Sequence, residues 1–469
     1  MSFKGEVAAA ILASKHTDLT VGDIYRIVEE GKLGNTIMTF GTFVEWTGTT
    51  WKVKKDMQYA TSKTGESLDN TAISLEEIFF ANSDVPASTL RFSFGDPNYD
   101  PTTDTAVASR HNTADRAGGG TPAGYGGTWK KLLTKFANIW DYTYTDNTLL
   151  NEFDNGNRSL ADADTETRFW NDAEHNPIKI IASNTAGCES FKRAFQGCWA
   201  ITEIWNLDTS DATNMFVAFS YCKNLVKIPQ MDMSSNTDFR AIFQDCLELE
   251  SMPAPIFPDD DSLNYSAQAL WLNCQKLKAV NGVLNLKSIT NISEICIGCR
   301  SIKSITMQNT SRIKRFGYAF CGCPDLSLEF FDSLDTANAT NLNDICRGEV
   351  KYPQGDGPYL IRYDVVMKNI TRMPNFDMSS ATNVSNAFHL CNLESIDTTI
   401  LSTLSGSVNV SKMFIDNRNC KSGILDAYTV LDAVDNNNHA DCFLNCGIDT
   451  EEGRAELEQI PASWGGLAP

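Results

Sequence analysis

The sequence of 469 residues predicts an α/β repeat solenoid preceded by a small N-terminal β module. An apolar stripe with helical spacing returns about every 24 residues. A pair of apolar residues three apart follows most stripes, and small polar residues precede the stripes. One repeat of this length cannot close a hydrophobic core, whereas stacked copies bury a continuous one. We therefore expect one short strand and one short helix per repeat.

The stripe places residues at the offsets i, i+3, i+4 and i+7, which is the pattern of one face of a helix. In the first copy these residues are Phe191, Ala194, Phe195 and Cys198. We number each stripe from 1 to 8, so that they occupy positions 1, 4, 5 and 8. An insertion at residues 350–369 interrupts the series. The ten residues at position 8 are Cys198, Cys222, Cys246, Cys274, Cys299, Cys323, Glu349, Cys391, Asn417 and Cys446.

The apolar pair after the stripe, for example Leu249 and Met252 or Leu277 and Val280, is too short for another helix and predicts a strand. Small polar residues before the stripe, as in SDATNM at residues 210–215, can cap the predicted helix. The strands are expected to form a parallel sheet on one side of the solenoid, with the helices on the other.

These repeats, for example TNMFVAFSYCKNLVKIPQMDMSS at residues 213–235, resemble the BspA-like leucine-rich repeats of bacterial surface proteins, which carry an "MF-x-GC" signature. The resemblance extends over about residues 191–446 and implies a leucine-rich-repeat-like solenoid. Similar repeats occur in bacterial adhesins and in phage fibres. The resemblance therefore implies binding rather than catalysis, without specifying the ligand.

Near the N-terminus, alternating β-forming residues on both sides of Thr47 and Gly48 predict a hairpin, and residues 4–14 are expected to form a short helix. The segments VGDIYRIVEEG and FVEWTGTTWKV resemble small modules at the N-termini of phage tail or head fibres. By that resemblance, the N-terminal module attaches to other virion proteins and the repeats face outward.

Four regions are predicted. Residues 1–60 form the virion-attachment module, with a short helix and a β hairpin. Residues 61–172 form a connecting region and the N-terminal cap of the solenoid, for which the aromatic segment 128–144 is the candidate. Residues 173–450 form the solenoid, and residues 451–469 a C-terminal cap or tail.

The formal net charge of −20 argues against a nucleic-acid partner, because a phosphate backbone requires neutralising Lys and Arg. No apolar run is long enough to insert into a membrane. The run AAAIL at residues 8–12 is too short for a good signal peptide. We therefore expect mostly reduced, buried cysteines. The resemblance to phage fibres implies synthesis in the host cytoplasm and location in the virion, and the poor signal peptide agrees with it.

The spacing of Cys296, Cys299, Cys321 and Cys323 superficially resembles a zinc site. Three of these residues occupy stripe positions, so packing accounts for them. The acidic run at residues 259–261 is interpreted as a solvated loop rather than as a pair of glycosidase carboxylates. No metal, cofactor or catalytic residue is predicted.

Candidate ligand-binding residues flank the second apolar residue of the strand pairs, on the open face of the predicted sheet. They are Glu203, Trp205, Lys227, Asn281, Ser304, Thr306, Ser395 and Asp397, and Ser251 and Ala279 flank their pairs in the same way. Such a surface suits a glycan or a protein, although an ordinary solvated face has the same composition. Trp205 is the sharpest candidate, because an exposed indole can stack on a sugar ring.

The leading hypothesis is a structural virion fibre or adhesin of a bacteriophage, whose repeats bind a glycan or protein on the host surface. One alternative is a head fibre or capsid decoration protein without a receptor role. Another is a tailspike-like enzyme that degrades polysaccharide. Fibres are commonly oligomeric, and without sustained heptads a trimer or dimer must form through globular faces.

Overall fold

The computed structural model describes residues 70–102, 128–134, 137–144, 176–348, 365–434 and 436–468, together with the backbone of six short strands before residue 54. The chain divides into two compact bodies. The first comprises Met1–Asn147, Phe169–Ala186 and Ala200–Asp208, and the second comprises Thr148–Arg168, Gly187–Trp199 and Thr209–Pro469.

The first body begins with the strands β1 (Ser2–Ala8), β2 (Asp23–Glu29), β3 (Gly31–Leu33), β4 (Thr36–Met38), β5 (Phe43–Trp46) and β6 (Trp51–Val53). β1, β2, β5 and β6 form one sheet in that order, and β3 pairs with β4. β5 and β6 are antiparallel, with Trp46 opposite Trp51, as the predicted hairpin requires.

The start of the predicted N-terminal helix is a strand instead. β1 pairs in parallel with β2, so partners distant in sequence supply its backbone hydrogen bonds and override the local helical preference. Residues 9–14 of that predicted helix lie outside the described residues.

The first body continues with helix α1 (Asn70–Ala81) and the strands β7 (Thr89–Phe94), β8 (Thr128–Lys131), β9 (Asn138–Thr143), β10 (Ile178–Asn184) and β11 (Ile201–Ile204). These strands form a sheet in the order β11-β10-β7-β9-β8. All six residues of β7 are buried. Phe79 and Phe80 of α1 pack against Ile139 and Ile181. β8 and β9 lie in the aromatic segment 128–144, whose role as a solenoid cap stays a prediction.

The second body consists mainly of repeats. Its strands are β12 (Ser251–Pro253), β13 (Tyr265–Ser266), β14 (Ala279–Asn285), β15 (Ile289–Asn291), β16 (Ser304–Gln308), β17 (Val408–Asn409) and β18 (Asn436–Asn438). Its helices are α2 (Leu328–Asp332), α3 (Thr398–Leu401), α4 (Ile424–Ala433) and α5 (Glu451–Leu457). β12, β14 and β16 form a parallel sheet, as predicted, and successive coils stack as a β-solenoid.

The stripe is a pair of linked turns rather than the predicted short helix. Position 3 of all ten stripes is a non-glycine residue with positive φ, for example Arg193 (61°) and Val217 (50°). Position 7 also has positive φ in nine stripes, for example Gly197 (73°) and Tyr221 (63°). A left-handed residue at every fourth place is incompatible with a right-handed helix.

Hydrogen bonds between coils explain this backbone. In the first stripe the amides at positions 1, 3, 5 and 7 donate to carbonyls of the next coil, as in Phe191 to Asn214 (2.9 Å) and Arg193 to Phe216 (3.0 Å). The amides at positions 4 and 8 close turns within their own stripe, as in Ala194 to Phe191 (2.9 Å). An α-helix would use its amides internally, so the helix and the stacked coil exclude each other.

The stripe side chains form the core, as the repeat pattern predicts. Rings at position 5 stack along the solenoid, with centroid distances of 5.4 Å from Phe195 to Phe219 and 5.6 Å from Phe219 to Phe243. A second column ends where Trp464 stacks on Phe443 at 6.2 Å. The Phe443 amide donates to the Trp464 carbonyl, so the C-terminal segment covers the last coil.

Polar residues before the stripe act as the predicted caps, but on turns. The Asn214 side chain accepts a hydrogen bond from the Phe216 amide (3.0 Å), and Asn383 does the same for Ser385 (3.1 Å). Each acceptor immediately precedes position 1. The sequence pattern therefore identifies the capping residues correctly, but they cap turns and not helices.

The cysteine at position 8 has a specific partner. The thiol of Cys222 donates to the carbonyl of Phe195 (3.1 Å), and the thiol of Cys246 donates to that of Phe219 (3.3 Å). In each case the acceptor is the position 5 carbonyl of the preceding coil. Position 8 thus links neighbouring coils through a buried donor.

Asn417 occupies position 8 in a stripe without the cysteine and provides the same link. Its amide donates to the Phe388 carbonyl of the preceding coil (2.7 Å) and to the Phe414 carbonyl (2.9 Å). Its side-chain oxygen accepts from the Leu393 amide (3.3 Å), and the residue is fully buried.

We expect Asn417→Ala to lower the free energy of unfolding by about 2 kcal/mol or more, because buried polar groups lose their partners. Asn417→Cys should lose less, since a thiol can still donate to the Phe388 carbonyl. Urea unfolding checks both. Asn419→Ala, at an exposed position nearby, is the control; equal stability of Asn417→Ala and this control would contradict the assigned role.

Candidate binding surface

The parallel sheet of the second body presents part of the predicted ligand-binding set in one row. Ser251 of β12 lies opposite Ala279 of β14, which lies opposite Ser304 of β16. Ser251 and Ser304 are exposed, and Ala279 is half-buried. Because parallel coils keep their register, equivalent positions of successive repeats become cross-strand neighbours. The row consists of small residues, two of which are polar.

Beside this row, β14 departs from regular pairing. Between Ala279 and Val283 the register with β16 shifts, and Gly282 has a φ of 104°. Such a bulge turns the exposed side chains of the strand outward. The exposed residues Asn281 and Thr306 lie on this irregular part of the sheet. Ser251, Ala279, Asn281, Ser304 and Thr306 therefore form one surface, which we call the sheet face.

Trp205 and Glu203 belong to the first body, and the Trp205 side chain is less exposed than predicted. Its indole N–H donates to the Glu203 carboxylate (2.7 Å), and the Lys179 ammonium lies 5.6 Å from its ring centroid. Trp205 is half-buried and packs against the cluster that contains Phe79 and Ile139. The prediction of an exposed indole is wrong, because residues far away in the sequence cover it.

The remaining predicted residues lie elsewhere in the second body. Lys227 and Ser395 are exposed, and Ser395 forms a parallel bridge with Ser422. Asp397 is the N-cap of α3, where its carboxylate accepts hydrogen bonds from the amide (2.8 Å) and hydroxyl (2.7 Å) of Thr399. These hydrogen bonds hold the pKa of Asp397 below its ordinary value.

Two ion pairs join two neighbouring coils close to the sheet face. Lys278 contacts Glu250 at 2.8 Å, and Lys276 pairs with Glu248. The hydrogen bond from Lys278 lowers the pKa of Glu250. The sequence analysis missed these pairs, although aligned repeats reveal them: E-x-E follows Cys246 at the offset where K-x-K follows Cys274.

The cysteines suit packing rather than ligation or nucleophilic chemistry. Burial raises the pKa of the Cys222, Cys246 and Cys391 thiols, which keeps them protonated and able to donate hydrogen bonds. In the part of the chain that the structure describes, no group of three or more His, Cys, Asp or Glu residues could hold a metal ion. All fourteen cysteines are buried, in agreement with the sequence analysis.

The acidic run at residues 259–261 holds its own loop together. The Asp259 carboxylate contacts Lys287 (3.3 Å), and that of Asp260 accepts hydrogen bonds from the amide (2.8 Å) and hydroxyl (2.7 Å) of Ser262. The carbonyl of Asp261 accepts a hydrogen bond from Arg312. These contacts agree with a solvated loop.

Part of the repeat region is similar to a known protein family. Residues 189–304 match a family model described as a Mycoplasma protein of unknown function, DUF285, a surface-repeat family of BspA-like type. The matched residues contain the first five stripes. No curated protein and no solved structure matches the chain. Among the helices that the structure describes, none is long and apolar enough to cross a membrane.

The cap at α3 gives a pH-dependent prediction. Because the pKa of Asp397 is lowered in the folded state, its stabilisation is present above the ordinary carboxyl pKa and is lost as the pH falls through the lowered value. We expect Asp397→Ala to cost about 1 kcal/mol near neutral pH. The stability difference from wild type should shrink as the pH falls from about 5 to about 2.

Urea unfolding across a pH series measures this difference. Asp432→Ala on α4 is the matched control, because Asp432 is exposed. A difference for Asp397→Ala that stays constant with pH would refute the capping role and leave the carboxylate available for a ligand.

Proposed function

We propose that this protein is a structural virion fibre or adhesin of a bacteriophage, in which the repeats act as a rigid recognition scaffold. In this proposal the N-terminal module contacts other virion proteins, and the sheet face binds a glycan or protein on the host surface. The proposed recognition role rests on the sheet face. The virion assignment rests on the resemblance of the N-terminal segments to phage fibre modules.

The geometry of the sheet face supports recognition. Its strands are held by hydrogen bonds between coils, so exposed side chains such as Asn281 and Ser304 have fixed spacings before any partner arrives. A preorganised surface loses less conformational entropy on binding. The small residues Ser251 and Ala279 also let a flat partner approach the backbone closely.

The same observations favour recognition over polysaccharide cleavage. Glycoside hydrolysis usually requires two carboxyl groups facing each other across the scissile bond. Asp259 and Asp260 instead stabilise their own loop through Lys287 and Ser262. A tailspike-like enzyme remains the third candidate. It predicts that purified protein releases oligosaccharides from host capsule.

The location of the protein separates a virion component from a bacterial surface protein. Immunogold electron microscopy with antibodies against the full chain should label purified particles, on the tail for a receptor-binding fibre or on the head for a head fibre or decoration protein. Labelling restricted to host cell envelopes would refute the virion assignment. We expect a trimer or dimer in light scattering of the purified chain.

The recognition role is tested on the sheet face itself. We expect Ser304→Arg to reduce the binding of purified protein to host cells at least about tenfold, since a bulky charge on the sheet face blocks the close approach of a partner. Ser463→Arg is the control, because it adds the same charge at an exposed position near the C-terminus. Flow cytometry with labelled protein measures binding.

Both arginine variants should unfold at the wild-type urea concentration. If Ser304→Arg binds cells as tightly as Ser463→Arg, the sheet face is not the recognition surface. In particles that carry the variant, unchanged adsorption together with head labelling would favour a decoration protein.

A further inference from the structure

An open cleft of about 640 Å³ lies within the first body, and none of the residues that line it belongs to the sheet face. Three segments line it: residues 81–85 at the end of α1 and in the loop that follows, residues 182–184 at the end of β10, and residues after β11 that include Asn206 and Asp208. Its volume falls within the usual range for small-molecule sites.

A buried arginine fixes the first wall of the cleft. The Arg91 guanidinium donates to the Phe80 carbonyl (2.8 Å), the Ser83 hydroxyl (2.8 Å) and the Asp84 carbonyl (3.0 Å). The Asp141 carboxylate accepts two further hydrogen bonds from it, at 2.6 and 3.0 Å. Because the charge of Arg91 is compensated and its donors are engaged, it holds the loop in place rather than attracting a ligand.

The other walls are tied to this loop and to each other. The Asn184 amide donates to the Val85 carbonyl (3.0 Å). The Ser183 hydroxyl accepts from the Asp208 amide (3.3 Å), and the Thr185 hydroxyl donates to the Asp208 carbonyl (2.6 Å). The cleft is therefore formed before any ligand binds.

The lining indicates the chemistry of the ligand. It contains the acidic residues Asp84 and Asp208, amide residues such as Asn206, and no Lys, Arg or His among the lining residues that the structure describes. An anionic ligand would be repelled there. Carboxylates and amides pair with adjacent hydroxyl groups, while Ala81 and Val85 offer small apolar surfaces to the C–H face of a ring.

We propose that this cleft binds a neutral saccharide. The ligand class follows from the acidic and amide lining, the small apolar patches and the preformed walls. The site belongs to a different body from the sheet face, so neither proposal depends on the other.

Saturation-transfer NMR on the full chain tests the proposal with glucose, galactose, mannose, N-acetylglucosamine and lactose as probes. At least one sugar should bind saturably. Asp84→Ala and Asn206→Ala should each weaken that binding about tenfold or more, because each removes a group that bonds to hydroxyls. Asp432→Ala in the second body should bind like wild type.

Asp84→Asn and Asn206→Asp serve if an alanine variant fails to fold, since both nearly preserve side-chain volume while altering the hydrogen-bonding groups. The proposal is overturned if none of the sugars binds or if all cleft variants bind as tightly as wild type. Ser304→Arg should leave sugar binding unchanged, which separates this test from that of the sheet face.

Discussion

The solenoid depends on hydrogen bonds that leave each stripe and end on the next coil. Non-glycine residues such as Val217 adopt left-handed backbone at position 3, at a cost of roughly 1–2 kcal/mol each. In return, the Val217 amide donates to the Arg240 carbonyl of the next coil. The compensation exists only when coils stack, so one repeat cannot keep this shape alone. The end of the stack must supply acceptors too, as Trp464 does for Phe443.

This constraint also accounts for the cysteines. Position 8 needs a side chain small enough for the core that can donate to a buried carbonyl of the preceding coil. A thiol combines apolar character with one weak donor, and the raised pKa of the Cys222 and Cys246 thiols keeps that donor present. Asn417 shows that the hydrogen bond, rather than the sulfur, is what the position requires. The repetition of cysteine therefore needs neither a disulfide nor a metal to explain it.

Periodicity predicted the repeats, their buried positions, the polar caps and the parallel sheet. The buried positions and caps follow from local spacing, and the sheet follows from the regular register of stacked repeats. The predicted helix is wrong because offsets of i, i+3, i+4 and i+7 equally fit two linked turns of four residues. The contrary signal lay at position 7, where Gly197, Gly298 and Gly322 favour left-handed backbone. Position 3 offers no such signal, since a β-branched residue such as Val217 rarely adopts positive φ.

The sequence could likewise place some residues of the candidate site and not others. Ser251, Ala279 and Ser304 could be aligned from sequence because repeat register places equivalent residues side by side. Trp205 could not be placed, since it packs against a cluster of residues outside the repeats, which includes Phe79 and Ile139. The residues that recur in every repeat are buried in the core. A surface that differs from those of similar repeat proteins must therefore come from residues that depart from the repeat. The bulge at Gly282, and not the regular row beside it, is the feature that would distinguish this sheet face from those of similar repeats.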